Sequence, residues 1–241
     1  MPSMEAPATM ASQDEAKMKK PLISNWLDEF EQKAASEFQR RTGLDYKATI
    51  AEAIAAAEPQ LGMQVLDVAT GTGVIARQLI SHIGAKGRII GVDATQEMVD
   101  KARLAAQSAG LSRYLEWQVA AAERLPFNVG EFDIVTCTMA LYRLKVQKFL
   151  KEAYRVLKPG GRLVIATELT PQTSVGALRL KLKRSYYQFV ARNPDEADAH
   201  YYSSDEIGEM INAAGFRQTV IRVLQPKSRR AMIFSLIKAV K

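Results

Sequence analysis

Gln64-Val-Leu-Asp-Val-Ala-Thr-Gly-Thr-Gly-Val-Ile-Ala76 decides how the rest of the chain is read. Val65, Leu66 and Val68 form a short apolar run that predicts a buried strand. Ala69 to Gly73 are small residues suited to a tight loop. From Val74 onward, Ile75, Leu79 and Ile83 recur at helical spacing. A strand, a glycine loop and a helix make a ligand platform. Glycine lets backbone approach a ligand closely, and a helix N-terminus presents free amide donors. About twenty residues past Gly73, Asp93 ends a second apolar run, Arg88-Ile-Ile-Gly-Val-Asp93. A carboxylate there accepts both hydroxyls of a ribose. The two stretches together predict a nucleoside-containing cofactor over the first two strand ends of an α/β sheet.

The glycine loop by itself leaves the cofactor open. Gly71-Thr-Gly73-Val-Ile-Ala76 satisfies the G-x-G-x-x-A pattern of dinucleotide sites, so an NAD(P)-dependent oxidoreductase is one reading. Asp67, just before the loop, points elsewhere. A carboxylate suits a cofactor with a cationic amino-acid tail and repels a pyrophosphate. Leu125-Pro126-Phe127 follows a third strand, Leu115 to Val119, and Leu157-Lys-Pro-Gly-Gly-Arg-Leu-Val-Ile165 reads as helix end, turn and strand.

With these stretches in view, the sequence resembles the class I S-adenosylmethionine-dependent methyltransferases, and within them the ubiquinone/menaquinone C-methyltransferase branch. The matching segments are Val65 to Gly73, Gly91-Val-Asp93, Ala122-Glu-Arg-Leu-Pro-Phe127, Phe132-Asp-Ile-Val135 and Tyr154-Arg-Val-Leu-Lys-Pro-Gly-Gly161. They stand in the family's order and spacing over roughly residues 60 to 170, with a weaker echo at Tyr202 to Ile207 and Ala214-Gly-Phe216. The resemblance implies an α/β fold with a Rossmann-like sheet, mostly parallel with an antiparallel last strand and helices on both faces. It implies S-adenosyl-L-methionine as cofactor and a small, lipophilic or aromatic acceptor such as a quinone precursor.

The resemblance also assigns residues. Ala69, Thr70, Gly71 and Gly73 line the methionine portion, and Asp67 helps hold its amino end. Asp93 binds the ribose, Ala94 packs on the adenine, and Thr138 lies near the methionine carboxylate or methyl. Ala121, Ala122 and Glu123 border the adenine. Two departures stand out. Ala69 replaces the usual glycine, as the quinone branch tolerates. Ala121 replaces an Asp that accepts from the adenine amino group, a charge-assisted contact typically worth about 1.5–3 kcal/mol. Backbone groups at Ala122 or the Glu123 side chain are the candidates to replace it.

The acceptor side is thinner. Tyr142 and Arg143 follow the fourth strand, where the family places residues near the acceptor. Tyr142 either orients a hydroxyl, stacks on a ring, or is a partly buried aromatic at a helix start. His200 is a general-base candidate near neutral pH, or an exposed loop residue, and Tyr202 beside it is a further substrate-binding candidate. Transfer from a sulfonium needs alignment more than a dedicated base, so no catalytic residue is fixed.

Composition narrows the rest. The chain has 241 residues, 47% of them hydrophobic, enough for a sizeable core. It has no run of about 18 apolar residues and no secretory signal. A single cysteine, Cys137, allows no internal disulfide, and two histidines offer no metal site. These features predict a cytoplasmic protein. The net charge of +7 is compatible with nucleic acid or an anionic membrane surface. Methylation of RNA is an alternative, disfavoured because no Asn/Asp-Pro-Pro-Tyr/Phe follows the fourth strand. A non-catalytic cofactor-binding protein is another, given Ala121. The basic and aromatic stretch Arg179 to Phe189 predicts either peripheral membrane contact or a solvated amphipathic face.

The expected organisation is a disordered tail over 1–19, a helical cover over 20–60, and a methyltransferase domain over 61–241 with an acceptor-side insertion at about 171–202. Leu22, Trp26, Leu27, Phe30 and Ala34 give the cover helix its apolar face. Thr95 is the predicted cap of a helix over 96–108, with Met98, Val99, Ala102 and Leu104 facing the sheet. A helix over 144–157 ends at Pro159-Gly160-Gly161, before a strand over 162–167. Ser204 is the expected cap of the next helix. Strands over 218–224 and 231–240 close the sheet.

Overall fold

The computed structural model describes residues 11–170, 200–224 and 233–241, with the side chains of the first helix described from Leu27 onward. Arg179 to Phe189, most of the expected insertion and the basic Lys227 to Arg230 lie outside the described residues.

Seven strands form one sheet among the described residues, in the order β3-β2-β1-β4-β5-β7-β6. They are β1 Gln64–Val68, β2 Arg88–Asp93, β3 Leu115–Val119, β4 Phe132–Thr138, β5 Leu157–Leu169, β6 Arg217–Leu224 and β7 Ile233–Val240. Pairing is parallel from β3 through β5. β7 is antiparallel to both of its neighbours. The central strands are buried on both faces, as parallel strands under helices must be.

Alternation along the strands divides the core into two halves. Leu66, Val68, Val135, Cys137 and Ile165 meet α5 (Val146–Val156) and α6 (Ser204–Ala213) on one face. Val65, Ile89, Ile134 and Val164 meet α2 (Tyr46–Ala57) and α3 (Val74–Ile83) on the other. α1 (Ala11–Thr42) contributes Phe38 to that second half. α4 (Gln96–Ser108) packs on β2 and β3.

Helix starts follow local chemistry. The Asp45 side chain accepts from Ala48 N at 2.7 Å, and Thr95 Oγ1 accepts from Met98 N at 3.3 Å. α6 is capped by Ser203, one residue before the expected Ser204, because Glu206 at the third helical position closes a capping box with it.

Several boundaries differ from expectation. α1 begins at Ala11, so residues 11–19, expected as part of a tail, are helical. Their Ala, Glu, Gln, Lys and Met are good helix formers that carry no apolar period. Ala34 is exposed, and Leu27, Phe38 and Thr42 are the buried residues of α1 among its described side chains. On α4 the buried set is Val99, Ala102, Ala105 and Ala106, with Met98 and Leu104 only half-buried. α5 starts at Val146, after a 3₁₀ turn over Leu141–Arg143, because Leu144 is extended (φ −98°, ψ 154°). Pro159-Gly160-Gly161 lies inside β5. Gly160 N donates to Lys241 O at 3.0 Å and Lys241 N donates to Gly161 O at 2.9 Å, so the segment is held by chain beyond β7.

Candidate functional site

The parallel strands deliver their C-terminal ends to one edge of the sheet, where β1 runs into Ala69 to Gly73. Thr70 N donates to Val92 O at 2.9 Å and Gly73 N to Thr70 O at 2.8 Å, which curls the loop back over β2. Ala69 has φ 55° and Gly73 φ 77°, both left-handed. The first is a strained value for a residue with a Cβ.

Asp67 anchors this loop from beneath. It is buried, and its two oxygens accept from Thr70 Oγ1 and Thr136 Oγ1, each at 2.6 Å. Burial pushes its carboxyl up to about 6, against the two threonine hydrogen bonds that favour the charge. Nearby Asp93 adds to the rise.

Asp93, at the end of β2, ties the loop to the next turn. Its Oδ2 accepts from Gly71 N at 3.1 Å, and its Oδ1 accepts from Thr95 N and Oγ1 at 3.2 Å each. Oδ2 keeps a second lone pair, whereas Oδ1 is already shared by both Thr95 donors. A Cβ built on Gly71 would meet nothing within 4 Å, so the loop backbone faces open space beside that carboxylate. Ala94 is exposed next to it. A bare backbone, an accepting carboxylate and open space between them suit a ribose and its neighbours.

The adenine border divides. Ala122 is buried and Ala121 exposed. Glu123 Oε1 accepts from Lys145 N at 2.9 Å, so this side chain is turned to the start of α5 and serves that helix end. Of the two candidates to replace the missing Asp, backbone groups at Ala122 and the Glu123 side chain, Glu123 has one of its carboxylate oxygens committed to the start of α5.

At the end of β4, Thr138 pairs with Ala166 of β5, and Met139 takes φ 58° while donating to Ala166 O at 2.7 Å. The chain then turns to Tyr142. The structure brings Tyr142 and the 200–202 segment together. His200 N donates to Tyr142 O at 2.9 Å, and the Tyr142 and Tyr201 rings stack at 5.3 Å with 19° between planes. His200 is exposed, with its ring tilted against Tyr202 at 4.5 Å. The Arg143 guanidinium lies 5.5 Å from the Tyr142 ring centre.

Sequence reasoning missed the contributions of α1. Glu31 Oε1 accepts from Thr72 Oγ1 at 3.1 Å and also pairs with Arg77. Further along the same helix, Arg41 pairs with Glu168, and its guanidinium lies 5.9 Å from the Tyr142 ring centre. Burial works against the Arg41 charge, yet the Glu168 carboxylate and its hydrogen bonds raise the guanidinium above its usual range. No local pattern marks these residues, since a charge on a helix reads as a solvated face. Trp117 was also passed over, although its ring packs against both Gly73 and Gly91. Cys137 is buried, and burial pushes its thiol up, with Asp67 adding to the effect.

A sequence profile described as a methyltransferase domain matches residues 66–165. The chain is 34% identical over 177 residues to the ubiquinone/menaquinone biosynthesis C-methyltransferase UbiE of Rickettsia typhi, covering 66% of this chain and 71% of that protein. The chain belongs to the class I S-adenosylmethionine-dependent methyltransferases, on the UbiE-like branch. UbiE of Geobacter sp. is 38% identical over 113 residues, 46% of this chain and 48% of that protein. This methyltransferase therefore spans most of the first relative and about half of the second. A SAM-dependent methyltransferase from Aquifex aeolicus superposes with a TM-score of 0.60 at 24% identity, over 79% of this chain and 88% of that one, and shows the shared fold. The enzyme uses S-adenosyl-L-methionine. These matches give no support to the oxidoreductase reading of Gly71-Thr-Gly73 or to the RNA reading of the basic charge.

Proposed function

We propose that this methyltransferase transfers the methyl group of S-adenosylmethionine to a quinone precursor, with the cofactor seated over the ends of β1 and β2. The observation that carries the cofactor site is Asp93, whose carboxylate bridges Gly71 and Thr95 beside open backbone. Asp93 takes the ribose hydroxyls, and Ala69 to Gly73 hold the methionine portion through backbone groups. Asp67 shapes the loop through Thr70 and lends its negative field to the amino end of the cofactor. Ala94, Ala121 and Ala122 border the adenine, and Thr138 borders the methionine end. Tyr142, Arg143, His200 and Tyr202 stand on the acceptor side.

The acceptor class is supported by the name of the Rickettsia relative and by the aromatic wall at Tyr142 and Tyr201. The bound cofactor supplies an activated methyl group on a cationic sulfur. The chain's own residues align the acceptor and exclude water. Among the described residues no helix is long and apolar enough to cross a membrane. The basic segment Arg179 to Phe189 supports a reading in which the enzyme meets a lipid-tailed acceptor at a membrane surface.

The test is calorimetric titration of the purified protein with S-adenosylmethionine, S-adenosylhomocysteine and NADH, followed by a methyl-transfer screen of reduced quinone precursors. Saturable binding of the first two, lost in Asp93→Ala, with transfer to a quinol supports the assignment. NADH binding alone overturns it.

A further inference from the structure

Glu168 sits near the C-terminal end of β5, two residues past Ala166, which pairs with Thr138 at the end of β4. It therefore lies on the same edge of the sheet as the cofactor loop. Its side chain is 2% exposed. Arg41 approaches one oxygen only, with both Nε (3.1 Å) and a terminal nitrogen directed at Oε1. Oε2 is buried and has no hydrogen-bond partner among the described residues. Arg41 is itself placed by α1, ten residues from Glu31, or about 15 Å along the helix from the cofactor loop. The stacked Tyr142 and Tyr201 stand beside the pair.

A buried carboxylate ordinarily satisfies both oxygens, because an unmet lone pair in a dry site forfeits its hydration. Arg41 neutralises the charge without using Oε2. The site thus holds a charged acceptor, fixed in direction, next to an aromatic wall. Its complement is a hydroxyl donor on a flat ring.

We propose that Glu168 Oε2 accepts a hydrogen bond from a ring hydroxyl of the methyl acceptor, making Glu168, held by Arg41, the residue that selects a reduced, hydroxylated ring. This rests on the quinone reading above. The oxidised ring carries carbonyls, which cannot donate and which meet Oε2 as a second acceptor. The arrangement therefore favours the hydroquinone, the electron-rich form whose ring carbon accepts a methyl group.

The experiment uses the full chain with S-adenosylhomocysteine bound, and measures affinity for reduced demethylmenaquinone with a short tail and for its dimethyl ether. The wild type is expected to bind the hydroquinone at least about tenfold more tightly, the loss typical of a charge-assisted hydrogen bond. Glu168→Gln keeps an oxygen for Arg41 and puts an NH₂ donor in place of Oε2. It is expected to bring the preference below about threefold while S-adenosylhomocysteine affinity stays within about twofold. An equal preference in the variant and the wild type overturns the assignment. So does a wild-type preference below threefold, which decides the matter even if the variant fails to fold. Wild-type turnover of the hydroquinone separates the two failures. If the wild type binds S-adenosylhomocysteine but methylates no quinol, the quinone reading falls and the Glu168 assignment falls with it.

Discussion

Trp117 occupies the volume that a side chain on Gly91 would need. A Cβ at Gly91 would lie 2.5 Å from the indole and 2.9 Å from Thr70 Oγ1. Gly91→Ala is therefore expected to displace the indole or to break the Thr70–Asp67 hydrogen bond. Overpacking of this kind costs about 1–3 kcal/mol. A lowered thermal midpoint and weaker S-adenosylmethionine binding would be seen together. Trp117→Leu in the same chain is expected to restore part of both, and unaltered binding by Gly91→Ala alone would count against the packing argument.

Asp67 links cofactor affinity to pH. Its folded-state value of about 6 lies above the ordinary carboxylate value near 3.9. The folded state thus binds the proton more tightly than the unfolded state. The stability Asp67 contributes is fully present below about pH 4 and is lost as pH rises through about 6, an effect on the order of 3 kcal/mol. The cofactor's ammonium group favours the ionised form. Affinity for S-adenosylmethionine is expected to rise as pH increases from 5 to 7, and Asp67→Asn to flatten that rise. Calorimetry at several pH values checks both slopes.

Ala121→Asp restores the carboxylate that the family places at the adenine. Ala121 is exposed, so the new side chain has room. A contact of about 1.5–3 kcal/mol corresponds to roughly tenfold or more in affinity. Tighter S-adenosylmethionine binding with an unchanged thermal midpoint is the expected result. An affinity that does not move would mean the adenine lies elsewhere.

Glu31→Ala removes the bonds from α1 to Thr72 in the cofactor loop and to Arg77 on α3. α1 remains held at its other end by Phe38 and Arg41. The cofactor is expected to dissociate several-fold faster, readable by stopped-flow displacement, while the fold is retained.

The sheet could be read from the sequence because its signals are local. Val65 to Val68 and Arg88 to Asp93 are short apolar runs, and Thr95 sits where a cap must be. Phe132 to Thr138 follows the same rule. The errors arise where a distant segment decides a local conformation. Pro159-Gly160-Gly161 has turn chemistry, but Lys241 bonds it into the sheet. Glu123 sits in a motif associated with adenine, and no local signal shows that its Oε1 also accepts from the amide of Lys145, 22 residues away. Arg41 and Glu168 lie 127 positions apart, and neither has a neighbour in sequence that reveals the other.

The placement of β7 between β5 and β6 has a consequence during synthesis. A ribosome makes β6 before it makes the strand that must separate β6 from β5. Until β7 emerges, the nascent chain holds two unfilled ladders, and β6 carries Val220 and Val223, which are 59% and 48% exposed even in the finished fold. Unpaired edges of this kind recruit other chains. Translation that pauses after Leu224 would leave the protein most open to aggregation, and chaperone capture should concentrate on that interval.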